Sequence, residues 1–218
     1  MDKYEAMLKL LTDAIEANKG NLVPPEEKNC TKEIPVGVSN RHLHLSQEDL
    51  NLLFGEGYQM AKMKDLSQPG QYACNETVTI CGPKGAIEKV RILGPVRSKT
   101  QIEIMTGDCF KLGVKPNVKM SGDLEGTDGV TIIGPKGSVQ TKEGLIVAQR
   151  HVHMTLEDAK RLGVHDGQIV SIQFNGPRGG IYSNVAVRAN NASALECHID
   201  TEEANAMNIN SLSKILII

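Results

Sequence analysis

Apolar residues recur at helical spacing only near the start of the chain. Tyr4, Met7, Leu8, Leu11, Ala14 and Ile15 fall on one face of a helix over residues 1–19, with Asp2, Lys3, Glu5, Lys9, Asp13 and Glu16 on the other. Gly20 ends it. Residues 21–33 carry Pro24-Pro25, charges and little apolar content, and read as a linker. A short amphipathic helix on a tether is a docking segment unless it packs on its own domain. Basic residues do not dominate its polar face, which argues against a membrane-surface helix.

From Ile34 onward the pattern is mostly that of strands. Three β-branched runs, starting at Val78, Val130 and Val170, each meet a Gly-Pro-basic-Gly turn: Gly82-Pro83-Lys84-Gly85, Gly134-Pro135-Lys136-Gly137 and Gly176-Pro177-Arg178-Gly179. Each is expected to reverse as a hairpin, its basic residue being a solvated turn charge. Four times a strand end runs into Ser or Thr with acidic residues close behind and then a short helix, at Ser46, Thr106, Thr155 and Thr201. The first and third fit capping boxes, Ser46 with Asp49 and Thr155 with Asp158. Gly55, Gly113 and Gly163 are the stops. The expected class is mainly β, with short barrels capped by small helices.

The 218 residues suffice for one large or two small domains with real cores. A net charge of −2 and a pI near 6.3 leave no basic excess for nucleic acid or an anionic membrane, and no apolar run reaches transmembrane length. Five cysteines at irregular spacing, with no C-x-x-C, point to a reducing cytosol. Tryptophan is absent, so the core is built from Val, Ile, Leu, Met and Ala.

The chemistry lies in the histidines. Arg41-His42-Leu43-His44-Leu45-Ser46 and Arg150-His151-Val152-His153-Met154-Thr155 share one frame, and each is followed by an acidic pair, Glu48-Asp49 or Glu157-Asp158. Alternate strand residues share a face, so each pair offers two imidazoles to one metal ion. Glu103 and His198 lie just ahead of the other two junctions. Six ligands then divide into His42, His44 and Glu103, and His151, His153 and His198. Three protein ligands leave an open position, the mark of a catalytic site, and the donors suit Zn2+, with other divalent ions allowed by the same chemistry. Arg97, before the strand of Glu103, is the best candidate for holding an anion such as phosphate. Arg41 and Arg150 should face the opposite side of their strands in structural pairs. His165, in an apparent turn, is read as surface structure.

These motifs together resemble the PduL-type phosphotransacylases, also called phosphate propanoyltransferases, over about Ile34 to Ile218. The resemblance rests on Val38-Ser39-Asn40-Arg41-His42-Leu43-His44-Leu45, the Arg97 to Glu103 segment, Gln149 to Thr155, and Cys197-His198-Ile199-Asp200. It implies two short β-barrels with an exchanged strand. One would use about 31–40 with 149–218, the other about 41–148 with a small hairpin near 55–75. It implies two Zn2+ per chain on the two ligand sets, phosphate on Arg97, and Gln71 and Ser121 nearby in the site. The implied activity is reversible transfer of a propanoyl or acetyl group between coenzyme A and inorganic phosphate. Residues 1–20 would target a bacterial microcompartment, through its shell or enclosed enzymes, in the bacterial cytoplasm. A homo-oligomer is expected. A metal-stabilised binding module without catalysis and a dinuclear phosphoester hydrolase are the rivals, which metal content and acyl-phosphate formation would separate.

Overall fold

The computed structural model describes Tyr4, Glu5, Met7, Leu8, Lys9, Thr12, Asp13 and all of residues 32–218. Two compact units divide the chain, Met1–Lys32 and Glu33–Ile218. Its described residues from Tyr4 to Asp13 are helical, and Tyr4, Met7 and Leu8 are exposed. Leu11, Ala14, Ile15, Gly20 and positions 21–31 of the expected helix and linker lie outside the described residues.

The second unit is mainly β. Its first ten strands are β1 (Ile34–Ser39), β2 (His42–His44), β3 (Lys62–Asp65), β4 (Tyr72–Cys81), β5 (Ala86–Gly94), β6 (Gln101–Ile104), β7 (Val118–Lys119), β8 (Thr131–Ile133), β9 (Ser138–Gln140) and β10 (Leu145–Ala148). Then come β11 (His151–Met154), β12 (Ile169–Phe174), β13 (Gly180–Ala189), β14 (Glu196–Asp200) and β15 (Lys214–Ile217). Four short helices follow four of them: α1 (Gln47–Phe54), α2 (Thr106–Leu112), α3 (Leu156–Leu162) and α4 (Thr201–Met207).

Six strands close a barrel in the order β1-β14-β11-β13-β12-β15, and the others form a curled sheet. Both use one plan. The run β10-β6-β2-β5-β4-β8 repeats the barrel's order, and in both the pairings run parallel, antiparallel, parallel, antiparallel, antiparallel. The barrel closes where β15 meets β1. At the corresponding edges of the sheet only a bridge, Asp128–Leu145, is made; β10 turns to β7 and β8 to β9.

Burial explains why the register is fixed. Leu43, Ile92, Ile102 and Ile104 point into one core; Val152, Val187, Cys197 and Ile199 point into the other from matching positions. A buried aliphatic side chain contributes roughly 1.5–3 kcal/mol, so slipping a strand by one residue would expose a whole set. Each long hairpin takes a bulge at the same point. Lys89 and Asn184 adopt left-handed φ of 57° and 58° beside register shifts, which keeps apolar residues inward on both sides.

The first two Gly-Pro-Lys-Gly turns do more than reverse a strand. Lys84 N–H donates to Leu112 O, and Lys136 N–H to Leu53 O, each at 3.0 Å, so each turn satisfies the end of a helix. A Cβ on Gly82 would meet Leu112 O at 2.3 Å, and one on Gly134 would meet Leu53 O at 2.6 Å. Glycine is needed at both because backbone meets backbone.

The helix starts differ from expectation at three junctions. Thr155 and Asp158 form the expected box. Ser46 accepts from Asp49 N–H, but the Asp49 carboxylate does not return; it is bonded to Thr100, whose hydroxyl accepts from Ser46 N–H. The other two caps fall one residue early, at Met105 and Asp200, the latter boxed with Glu203. Asp200 offers a carboxylate one residue before Thr201, and the Thr201 hydroxyl is spent on Ser39 O. Asn208, in the left-handed conformation, is the fourth stop.

Candidate active site

The alternation that buries Leu43 and Val152 turns His42, His44, His151 and His153 to the outer faces of their strands. The outer faces of barrel and sheet meet, and a cavity of about 440 Å3 lies between them, lined from both sides. The corrected caps reveal a rule: each of the four junctions carries a polar pair four and two residues ahead of the N-cap. The pairs are His42/His44, Gln101/Glu103, His151/His153 and Glu196/His198.

Antiparallel pairing then sets His42 opposite Glu103 and His151 opposite His198. Two groups result, His42-His44-Glu103 and His151-His153-His198, and within each the potential ligand atoms lie within 4.8 Å of one another. His42 Nε2 is 3.4 Å from Glu103 Oε2. His151 Nε2 is 3.1 Å from His153 Nε2. Tetrahedral zinc–nitrogen bonds of about 2.0–2.1 Å place neighbouring donors roughly 3.3 Å apart, so the spacing fits an ion.

The proton inventory fits it too. His42 Nδ1 and His151 Nδ1 each lie 2.8 Å from a carbonyl, Asn40 O and Gln149 O, which assigns the proton to Nδ1 and leaves Nε2 with a lone pair. His44 Nδ1 and His153 Nδ1, again at matching positions, are buried with no hydrogen-bond partner among the described residues. Burial lowers His44 to about 3, aided by Arg97 and His42; it lowers His151 to about 4, aided by His198, and His153 to about 3, aided by His151 and His198. All three are neutral at physiological pH, the form that binds metal. Burial opposes ionisation of Glu103, but His42, His44, His151 and Arg97 outweigh it and hold the carboxyl below its usual range.

Residues behind the groups orient them. Gln101 donates to Glu103 Oε1 at 2.6 Å and to Ser121 Oγ at 2.8 Å. At the matching place in the barrel, Glu196 Oε2 meets His198 Nε2 at 2.5 Å and is also bonded to Ser67. Gly37 makes room, since a Cβ there would lie 2.8 Å from Glu196 Cδ and 2.9 Å from His198 Cδ2. Arg41 clasps Asp108 through two 2.9 Å hydrogen bonds, and Arg150 Nε meets Glu203 Oε1 at 2.7 Å. Both carboxylates stand at the third position of the helix that follows Glu103 or His198, so these arginines tie neighbouring junctions together.

Arg97 lines the cavity and donates from Nη1 to Ser121 Oγ at 3.1 Å. Burial lowers its pKa and Glu103 partly restores it. Gln71 and Ser121 also line the cavity. His165 is exposed in a turn, away from the lining residues. Sequence reasoning passed over Gln101, Glu196, Gln68 and Arg188, all near the ligands. Gln101 and Glu196 carried a readable signal, being two residues before a ligand as His42 and His151 are. Gln68, at the tip of the β3–β4 hairpin, exchanges hydrogen bonds with the Ala194 backbone across the cavity mouth, and no local signal announces it.

A family model described as phosphate propanoyltransferase matches residues 35–210. The chain belongs to the phosphate propanoyltransferase family. It is 57% identical over 176 residues to the phosphate propanoyltransferase of Rhodobacter capsulatus, covering 81% of this chain and 82% of that one. It is 55% identical over 186 residues to that of Thermotoga maritima, with 85% and 89% covered. The Rhodopseudomonas palustris protein of the same name is 51% identical over 175 residues, with 80% and 77% covered. No helix among the described residues is long and apolar enough to cross a membrane.

Proposed function

We propose that the chain transfers a short acyl group, propanoyl or acetyl, between coenzyme A and inorganic phosphate, acyl-CoA plus phosphate giving acyl phosphate plus CoA. The observation that carries this reading is one cavity holding two three-ligand groups and Arg97 in a chain of this family. His42, His44 and Glu103 would hold one Zn2+, and His151, His153 and His198 a second. When bound, such ions supply Lewis-acid polarisation and a sulfur-binding position that eases departure of the thiolate.

The chain's own residues supply the rest. Arg97 presents a planar fork to phosphate, and Ser121, gripped by Gln101, holds that fork in place. Gln71 adds a polar contact on the same wall. A phosphate oxygen attacks the thioester carbonyl carbon, its C–O bond forms, the C–S bond breaks, and the electron pair leaves on sulfur. A phosphate dianion already carries the lone pair it needs, so no base must remove a proton. That suits a site in which the His44, His151 and His153 rings stay unprotonated well below neutral pH. No cysteine is required as nucleophile; burial raises the Cys197 thiol to about 12.

The same reading gives residues 1–20 a docking role, 21–33 a linker role and 34–218 the catalysis. The exposed Tyr4, Met7 and Leu8 support helix-in-groove docking to a microcompartment shell or its enzymes, inside a bacterial cytoplasm. An assembly of like chains is part of the proposal. The deciding assay incubates propanoyl-CoA or acetyl-CoA with phosphate, follows CoA with a thiol reagent, and traps acyl phosphate with hydroxylamine. Phosphate-dependent release of both products is expected. Hydrolysis of a phosphoester without acyl transfer would overturn the reading in favour of a metallohydrolase.

A further inference from the structure

Arg188 is a guanidinium that the fold does not require. It sits on β13 in register with His153, and the neighbouring Val187 faces the barrel core. In the matching place beside His44, the curled sheet carries Leu93. The shared strand plan is therefore compatible with an apolar residue at this position. The Arg188 side chain lines the cavity, half-buried, with no hydrogen-bond or ion-pair partner among the described residues. Arg41 and Arg150, in contrast, are each satisfied by a carboxylate.

A second guanidinium faces it. Arg97 enters the same cavity from the sheet side, and Arg188 is close enough to disfavour its charge. Arg97 is partly compensated by Glu103, whereas no carboxylate pairs with Arg188 among the described residues. Two like charges converging on a sheltered space cost free energy unless an anion stands between them. Planar guanidinium forks match the oxygens of a tetrahedral oxyanion.

We propose that Arg188 is a catalytic residue that holds the substrate phosphate from the barrel side, forming with Arg97 a clamp built from both halves of the molecule. This rests on the acyl-transfer reading above. A clamp made by two separate sheets would fix the orientation of the phosphate as well as its presence. Each grip is a charge-assisted contact, and losing one is expected to weaken phosphate binding roughly 10- to 100-fold.

The test compares Arg188→Gln and Arg188→Lys with wild-type protein carrying its metal. Measured are the KM for phosphate, the KM for propanoyl-CoA, kcat, metal content, and binding of inorganic phosphate by calorimetry. Arg188→Gln should raise the phosphate KM and calorimetric Kd by roughly 10- to 100-fold, with the propanoyl-CoA KM within about twofold. Arg188→Lys should recover part of the loss, since lysine keeps the charge without the fork. Unchanged phosphate binding overturns the clamp, and so does a fall in kcat alone, which would put Arg188 on the acyl carbonyl. Parallel loss of metal in both variants also overturns it, in favour of a structural role. If wild-type protein releases no CoA yet binds phosphate in an Arg188-dependent manner, the clamp stands and the acyl-transfer reading falls.

Discussion

The closed barrel and the curled sheet share strand order, bulge position and His-x-His frame, and differ where chemistry is done. The third candidate ligand is His198 in the barrel and Glu103 in the sheet; the residue behind it is Glu196 in the barrel and Gln101 in the sheet. Each half keeps one carboxylate in this pair, as candidate ligand on one side and as partner of the candidate ligand on the other. A carboxylate ligand is well served by an amide donor, and an imidazole ligand by a carboxylate. A third difference is Arg188 against Leu93, which gives the barrel side a cavity-lining guanidinium to set against Arg97 of the sheet side. The two halves share a strand plan and differ in the residues they turn to the cavity.

The largest expected effect tests whether the halves are equally needed. His42→Ala and His151→Ala should each remove about one of two ions and lower turnover by at least about a hundredfold, because loss of one of three protein ligands is poorly tolerated. Elemental analysis of each variant checks this. An active wild-type enzyme carrying one ion or none would end the two-site assignment.

The orienting residues come next. Gln101→Ala and Glu196→Gln should weaken metal retention by roughly 10- to 100-fold, each at its own site, as measured by competition with a chelator. Equal loss from both sites in either variant would show that the halves are coupled and not independent.

Acidity offers a gentler probe. His44, His151 and His153 are held at about 3, 4 and 3, below the 6.5 of an exposed histidine. Between those values the unfolded chain takes up protons that the folded protein refuses. Stability of the metal-free protein should therefore fall as pH drops from about 6.5 towards 4, with no contribution from these rings above 6.5. Denaturant midpoints of chelator-treated protein at about pH 7.5 and about pH 5 would show it. A constant midpoint would mean that the rings titrate normally.

The smallest expected effect on chemistry concerns residues 1–20. Their removal should leave metal content and turnover per chain within about twofold, because none of the six ligands lies there, while abolishing recruitment of a fused reporter to a compartment. Leu8→Asp with Leu11→Asp should act alike. Joint loss of metal and activity would place the helix in the catalytic core.

Much of this site could be read in advance because its signals are local. Two residues on one strand face are two apart in sequence, so His42/His44 and His151/His153 announced themselves, and the helix junctions placed Glu103 and His198 beside them. The hairpins at 82–85, 134–137 and 176–179 were legible in the same way. Three kinds of fact were not. Whether a sheet closes depends on pairing between distant edges, so nothing near Asp128 or Ile215 distinguishes bridge from barrel. Cap positions slipped because Asp200 competes with Thr201 one residue away, and because Thr100 intrudes from another strand at Ser46. Arg188 has no motif; its meaning comes from facing Arg97 across a cavity that exists only once both sheets are folded.

The first strand of the barrel has a consequence for synthesis. β1 finds no partner strand until β14, more than 150 residues later: Ser39 waits for Ile199, 160 positions on, and Glu33 for Lys214, 181 positions on. While the ribosome is still at work, the curled sheet can assemble, but Ile34 and Val36 remain exposed until β14 and β15 emerge. The barrel is the last part of this unit to form, and a nascent chain stalled before Glu196 would display a bare edge open to a neighbour's β14.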